Sequence, residues 1–231
     1  MSSLNRFQQE FIEFLVRSDV LTFGDFTTKS GRQTPYFVNT GMVRTGSQME
    51  CFASFYAQSI AERVGDDFDL LFGPAYKGIP LVTSVASCLA REHGIDRGFC
   101  FDRKEIKDHG EGGMLVGSVP VDGNRVLLVE DVTTAGTSIR ETVPKLRATA
   151  DVELAGLVIS VDRRERGTGD RSALDQLSEE LEMPCIAIVT VHDIIEFLHQ
   201  REIDGKILID DEIRARMEQY LQEHGPRDHT V

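Results

Sequence analysis

Val126-Leu-Leu-Val-Glu-Asp-Val-Thr-Thr-Ala-Gly-Thr-Ser138 decides the fold, because an apolar run enters two acids and then a turn of small hydroxyl residues and glycine. Val126 to Val129 is the short continuous apolar run of a parallel strand covered on both faces. Behind the turn, Ile139-Arg-Glu-Thr-Val-Pro-Lys-Leu146 begins a helical pattern. Glu130 and Asp131 therefore stand at the carboxyl end of a strand, where open α/β sheets bind ligands. The small residues Thr133 to Ser138 let backbone N–H groups converge on an anion, and the helix start adds its unpaired donors and positive dipole end. The two carboxylates cannot serve that anion directly. Their partners are hydroxyls of an attached sugar, or a metal that the ligand brings with it. The stretch reads as a cradle for a sugar phosphate.

The rest of the chain bounds that reading. Its 231 residues suit one large α/β domain with appendages. With 25 basic against 38 acidic residues, the net charge of −13 argues against nucleic acid or an anionic membrane as the main partner. A polyanionic substrate then needs a local basic exception. Cys51, Cys88, Cys100 and Cys185 lack Cys-x-x-Cys spacing, which suggests neither a zinc site nor a disulfide framework, only reduced and mostly buried thiols. No basic-then-apolar signal pattern or bilayer-length apolar stretch is visible, so a cytoplasmic protein is expected. Phe7, Phe11, Phe14 and Leu15 recur at helical spacing as the buried face of an amphipathic helix.

Strand-like runs at 69–72, 99–101, 126–129, 154–161 and 185–191 alternate with helical patterns near 47–63, 79–92, 138–148, 172–182 and 193–200. This alternation predicts βα units and a mostly parallel central sheet flanked by helices. Residues 1–40 fall outside the repeat and are expected to form a small hood with part of the C-terminal region; 224–231 read as a frayed tail.

Two further stretches carry chemistry. Phe72-Gly-Pro-Ala-Tyr-Lys-Gly-Ile79 follows a strand and precedes a helix, so Lys77 is presented at the same sheet end as Glu130 and Asp131, as a point charge suited to pyrophosphate. The bracketing glycines, Gly73 and Gly78, imply close backbone approach. Arg103-Lys-Glu-Ile-Lys-Asp-His-Gly-Glu-Gly-Gly113 gathers three cations and a histidine before glycines. It is the local basic exception, and reads as a mobile lid over approximately 102–114.

At these residues the chain resembles the phosphoribosyltransferases. The segments TTKSGRQTPYF (27–37), FGPAYKGIP (72–80), RKEIKDHGEGG (103–113), LVEDVTTAGTS (128–138) and SVDRRERGTG (160–169) are similar to the orotate phosphoribosyltransferase family, and the likeness spans essentially the whole chain. The resemblance implies a type I phosphoribosyltransferase fold over 1–231 and transfer of the 5-phosphoribosyl group from 5-phosphoribosyl 1-pyrophosphate to N1 of orotate. It implies Mg²⁺ held mainly by substrate, with no protein metal cage, and a cytoplasmic homodimer of pyrimidine biosynthesis with shared active sites. It also assigns residues. Lys29, Tyr76, Lys77, Arg103, Lys104, Lys107, His109, Glu130, Asp131, Val132, Thr133, Thr134, Ala135, Gly136, Thr137 and Ser138 match the ribosyl-donor site. Tyr36, Phe37, Thr134 and Arg163 match the orotate contacts, and Lys107, His109 and Asp131 the catalytic set.

Three positions depart from the family pattern: Tyr36 for a more usual Phe, Glu130 for Asp, and Thr133 for Ile or Val. Each keeps a usable group, Tyr36 retaining an aromatic face for stacking. The expected chemistry is electrostatic and positional, since displacing pyrophosphate from the sugar carbon builds positive charge on the ribose and negative charge on the leaving group. Lys77, Lys104, Lys107 and His109 suit the latter, while Asp131 and Glu130 suit the ribose hydroxyls. Among the crowded arginines at 163–166, only the resemblance selects Arg163. A purine phosphoribosyltransferase should lack the Lys-Ser-Gly-Arg and Asp-Arg-x-Glu-Arg-Gly segments, and a nucleic-acid-binding regulator of the same fold would need a basic face.

Overall fold

A computed structural model describes residues 4–28, 31–103, 114–133, 136–167 and 169–227. Helix α1 (Arg6–Arg17) leads into the hairpin β1 (Leu21–Thr27) and β2 (Gln33–Val38), a 3-10 turn at Thr40–Met42, and α2 (Gly46–Arg63). The βα units follow: β3 (Leu70–Gly73), α3 (Gly78–His93), β4 (Gly98–Asp102), β5 (Leu115–Gly117), β6 (Arg125–Val129), α4 (Thr137–Thr149), β7 (Glu153–Asp162), α5 (Ala173–Leu181) and β8 (Cys185–Thr190). The chain continues through α6 (Val191–Leu198), a short hairpin β9 (Glu202–Ile203) and β10 (Lys206–Ile207), and α7 (Asp211–His224).

The main sheet is ordered β5-β4-β3-β6-β7-β8, parallel except for β5, which runs antiparallel on the β4 edge. From β3 the chain winds outward to β4; from β6 it winds the other way through β7 to β8. The adjacent strands β3 and β6 are therefore the point at which the winding direction switches, and the carboxyl ends of such strands are where open α/β sheets place a ligand crevice. Alternate side chains fill two cores. Leu71, Leu127, Val129 and Val158 pack toward α1, α2, α3 and α6, while Phe72, Leu128, Leu157 and Ile159 pack toward α4 and α5. Each fully buried aliphatic side chain contributes about 1.5–3 kcal/mol.

Every strand expected from apolar runs is present, with ends shifted by about one residue. Strand β5 was not anticipated, since three residues at a sheet edge carry too little periodicity to read. Phe7, Phe11, Ile12 and Leu15 form the buried face of α1, and Phe14 is only partly buried. Phe7 and Phe11 meet Phe55 of α2 with ring centroids 5.5 and 5.0 Å apart. The β1–β2 hairpin packs on α7, where Tyr36 and Tyr220 meet edge-on at 6.0 Å. The frayed tail expected from residue 224 begins later: Gly225 is buried, and Arg227 donates its backbone N–H to Asp170 at 2.8 Å. The four cysteines are free as expected, but Cys51 is exposed.

Candidate active site

Five helices open on a side-chain cap: Asn5, Thr45, Ser172, Thr190 and Asp210 accept N–H groups at the starts of α1, α2, α5, α6 and α7. Helices α3 and α4 do not, although both start above the switch point, and neither has an acid in its first turn. At α4 the uncapped start leaves donors and the positive dipole end for a ligand, and a capping residue there would compete with an anion. At α3 the Gly78 and Ile79 N–H groups reach the Pro74 and Tyr76 carbonyls at 2.9 and 3.3 Å, and Pro80 has no N–H.

The loop after β6 is fixed from three sides. The Asp131 carbonyl accepts the Ser160 hydroxyl at 2.6 Å and N–H at 2.9 Å, and the Tyr56 hydroxyl at 3.1 Å. Tyr56 also donates to the Glu130 carbonyl at 2.9 Å. With this backbone pinned, the Asp131 side chain turns toward the crevice, where Thr40 donates to Oδ2 and Lys77 Nζ lies 3.0 Å from the same atom. Burial pushes the Asp131 carboxyl up, but Thr40 and Lys77 more than offset this and hold it below its ordinary range.

Glu130 takes a different part. Its Oε1 accepts the Asp131 N–H at 3.0 Å and its Oε2 accepts the Ser138 hydroxyl at 2.8 Å. It thereby ties the end of β6 to the first turn of α4. Burial, then the neighbouring Asp131 charge, raise its pKa to about 7. Thr133, the departure from an apolar residue, accepts the Gly136 N–H at 2.9 Å, so that amide is spent within the turn. Gly136 has φ of 70°, and a Cβ there would stand 2.6 Å from Leu177, so only glycine fits. Thr137 is exposed and Val132 half-buried on the same loop.

The loop after β3 closes on itself. A Cβ on Gly73 would press on the Gly78 carbonyl and lie 2.7 Å from Val82 Cβ, and one on Gly78 would lie 2.6 Å from the Gly73 carbonyl carbon. The close approach implied by these glycines is to each other. Asp102, at the end of β4, accepts the Ala75 N–H at 2.7 Å and pairs with Lys145 of α4 at 2.6 Å, bracing the loop from beneath. Tyr76, largely exposed, and Lys77 rise from it. Arg103 follows Asp102, and its N–H reaches the Met114 carbonyl at 2.7 Å, closing the base of the segment between them.

The residues expected to contact orotate divide. Arg163, just past β7, is buried, with Nη2 2.6 Å from Glu165 Oε1. Tyr36 lies against it, the guanidinium carbon 5.3 Å from the ring centroid. Two expectations are corrected here. Tyr36 is fully buried, so the aromatic face expected to be free for stacking is covered. Phe37 is half-buried and stacks on Phe26 at 5.6 Å; as consecutive residues of a strand, Tyr36 and Phe37 point to opposite faces and cannot line one surface together. Lys29, Lys104, Lys107, His109, Thr134 and Ala135 lie outside the described residues.

Sequence reasoning missed Thr40, Tyr56, Ser160, Asp102 and Glu165. Ser160 and Glu165 lay within the segment 160–169, and Thr40 three residues past the segment 27–37; Tyr56 looks like an ordinary helix residue until the chain folds.

Residues 44–194 match the model of the phosphoribosyl transferase domain. The chain is 53% identical over 222 residues to the orotate phosphoribosyltransferase of Clostridium acetobutylicum, covering 96% of this chain and 99% of that protein. It is 52% identical to that of Clostridium beijerinckii, covering 97% and 100%. The crystal structure of the Francisella tularensis orotate phosphoribosyltransferase superposes with a TM-score of 0.80 at 39% identity, covering 94% of this chain and 99% of that one. With the acid loop, the braced Gly73–Gly78 turn and the two uncapped helix starts gathered at one switch point, these matches show that the chain belongs to the phosphoribosyl transferase family, on its orotate phosphoribosyltransferase branch.

Proposed function

We propose that this chain transfers the 5-phosphoribosyl group from 5-phosphoribosyl 1-pyrophosphate to N1 of orotate, giving orotidine 5′-monophosphate and pyrophosphate for pyrimidine biosynthesis. The observation that carries the reading is the meeting of Lys77, Asp131 and the uncapped start of α4 within one crevice. The 5′-phosphate sits on the first N–H groups of α4, beside Thr137. Asp131 takes the ribose hydroxyls, while Glu130 shapes the loop beneath them. Pyrophosphate leaves toward Lys77 and Tyr76 on one side and the cations Arg103, Lys104, Lys107 and His109 on the other, so that negative charge develops among positive groups. Arg163 meets the orotate carboxylate, with Tyr36 supporting it from the core side and Thr134 completing the contacts, while Lys29 reaches the ribosyl donor.

The adjacent carboxylates of Asp131 and Glu130 are hard oxygen ligands at the strand end and fit Mg²⁺ carried mainly by substrate oxygens. When bound, Mg²⁺ neutralises part of the pyrophosphate charge. No helix among the described residues is long and apolar enough to cross a membrane. We place the chain in a homodimer whose 102–114 segment completes the neighbouring site. Loss of orotate absorbance in the presence of the ribosyl donor and Mg²⁺ tests the reaction; comparable kcat/KM with hypoxanthine or adenine would overturn it.

A further inference from the structure

The guanidinium on which orotate recognition depends is held in place by a buried acid. Arg163 and Glu165 have side chains 7% and 3% exposed, and their ion pair is 2.6 Å long. Glu165 Oε1 also accepts the Tyr220 hydroxyl of α7 at 2.9 Å. Burial, followed by the Glu165 charge, pushes the Tyr220 phenol up to about 12, so it remains a donor at working pH. The backbone of Glu165 is fixed as well, its carbonyl accepting the Ala173 N–H at 3.0 Å. On the other flank the Tyr36 ring lies 5.3 Å from the guanidinium carbon and meets Tyr220 edge-on. Arg163 Nε and Nη2 are both buried without a hydrogen bond of good geometry, so the 2.6 Å contact of Nη2 with Glu165 is an ion pair.

A buried cation without a paired acid is costly and would reorient toward water. Glu165 removes that cost before substrate arrives. We propose that Glu165, itself held by Tyr220, is a positioning residue for substrate selection, fixing the Arg163 guanidinium in the orientation that meets the in-plane carboxylate of orotate. The inference rests on the reading of Arg163 as the carboxylate's partner. The acid lowers the net charge offered to the substrate, so its benefit is geometric: a ring lacking the carboxylate makes no charge-assisted bond to the prepositioned guanidinium and is rejected.

The test uses the full chain and measures KM for orotate and for the ribosyl donor in Glu165→Gln, Tyr220→Phe, Arg163→Ala and the Arg163→Ala/Glu165→Gln double variant. Glu165→Gln should raise the orotate KM about tenfold and Tyr220→Phe roughly threefold, with the donor KM within about twofold of wild type. In the Arg163→Ala background, Glu165→Gln should add less than about twofold, because it acts through the residue already removed. Tighter orotate binding in Glu165→Gln, equal rises in both KM values, or full additivity in the double variant would overturn the proposal. If Arg163→Ala itself leaves the orotate KM unchanged, the assignment of Arg163 fails and this proposal with it. An increase in that variant with none in Glu165→Gln removes the positioning role alone. Should Glu165→Gln fail to melt cooperatively, Tyr220→Phe, which deletes a single hydroxyl, decides between the outcomes.

Discussion

Lys77 Nζ and Asp131 Oδ2 stand 3.0 Å apart although the two residues are separated by 54 positions in sequence. Their loops leave neighbouring parallel strands, and Thr40 from the hood side joins the same carboxylate oxygen. The groups assigned to the leaving pyrophosphate and to the ribose are thus oriented by each other. On the proposed reading, binding of the ribosyl donor exchanges this contact for two ligand contacts, so the pair contributes to placement more than to stability. Lys77 is more than half exposed, which limits such a pair to about 1 kcal/mol at most.

Lys77→Met and Asp131→Asn should therefore melt within a few degrees of wild type, while kcat/KM for the donor falls roughly ten- to hundredfold, about 1.5–3 kcal/mol. Thermal melts beside steady-state kinetics measure both. A large loss of stability with little kinetic change would make the pair structural.

Glu130 makes the site sensitive to pH near neutrality. Its folded-state pKa of about 7 lies above the ordinary 4.5. The stability tied to its proton is therefore fully present below about 4.5 and lost as pH rises through about 7. Asp131 is held low and stays ionised across this window. Glu130→Gln should flatten the pH dependence of stability between about 4.5 and 7 and gain relative to wild type above 7. Urea midpoints at several pH values test this; a Glu130 carboxyl NMR titration centred near 4.5 would contradict it.

Gly73→Ala tests the loop after β3. The added methyl meets the Gly78 carbonyl and Val82, and neither flanking strand nor helix can yield without moving Lys77. We expect a loss of about 1–3 kcal/mol in the urea midpoint together with weaker donor binding. A fully stable and active variant would show that the contact between the two glycines is not required.

Most of the sheet was legible because β3, β6 and β7 are buried on both faces and therefore read as continuous apolar runs. The tight turn after β6 was legible for a related reason: Gly136, at φ 70° and against Leu177, has room for no side chain. The adjacency of β3 and β6 was not legible, since β4 and β5 intervene in sequence and nothing local states that the chain returns to the inner edge. Thr40, Tyr56 and Ser160 were invisible for the same cause, their roles arising only when α2, β7 and the hood converge on Asp131. Tyr36 was misread because a motif match names a position but not a face. Strand pairing in the hairpin turns its ring into the core.

Sharing of sites between subunits can be decided by mixing two inactive proteins. Lys107→Ala removes a cation assigned to the pyrophosphate side, and Arg163→Ala removes the orotate partner. Each homodimer lacks one component at both of its sites and should be nearly inactive. If Lys107 acts on the neighbouring subunit's site, a mixed dimer collects both defects in one site and leaves the other intact. Random reassortment of equal amounts makes about half the dimers mixed, so about one quarter of wild-type sites should return. If Lys107 acts within its own chain, every site in the mixture keeps one defect and no activity returns. Subunit exchange is verified first, by native mass spectrometry of differently tagged chains. Failure to recover activity after verified exchange would then refute sharing while leaving the reaction itself untouched.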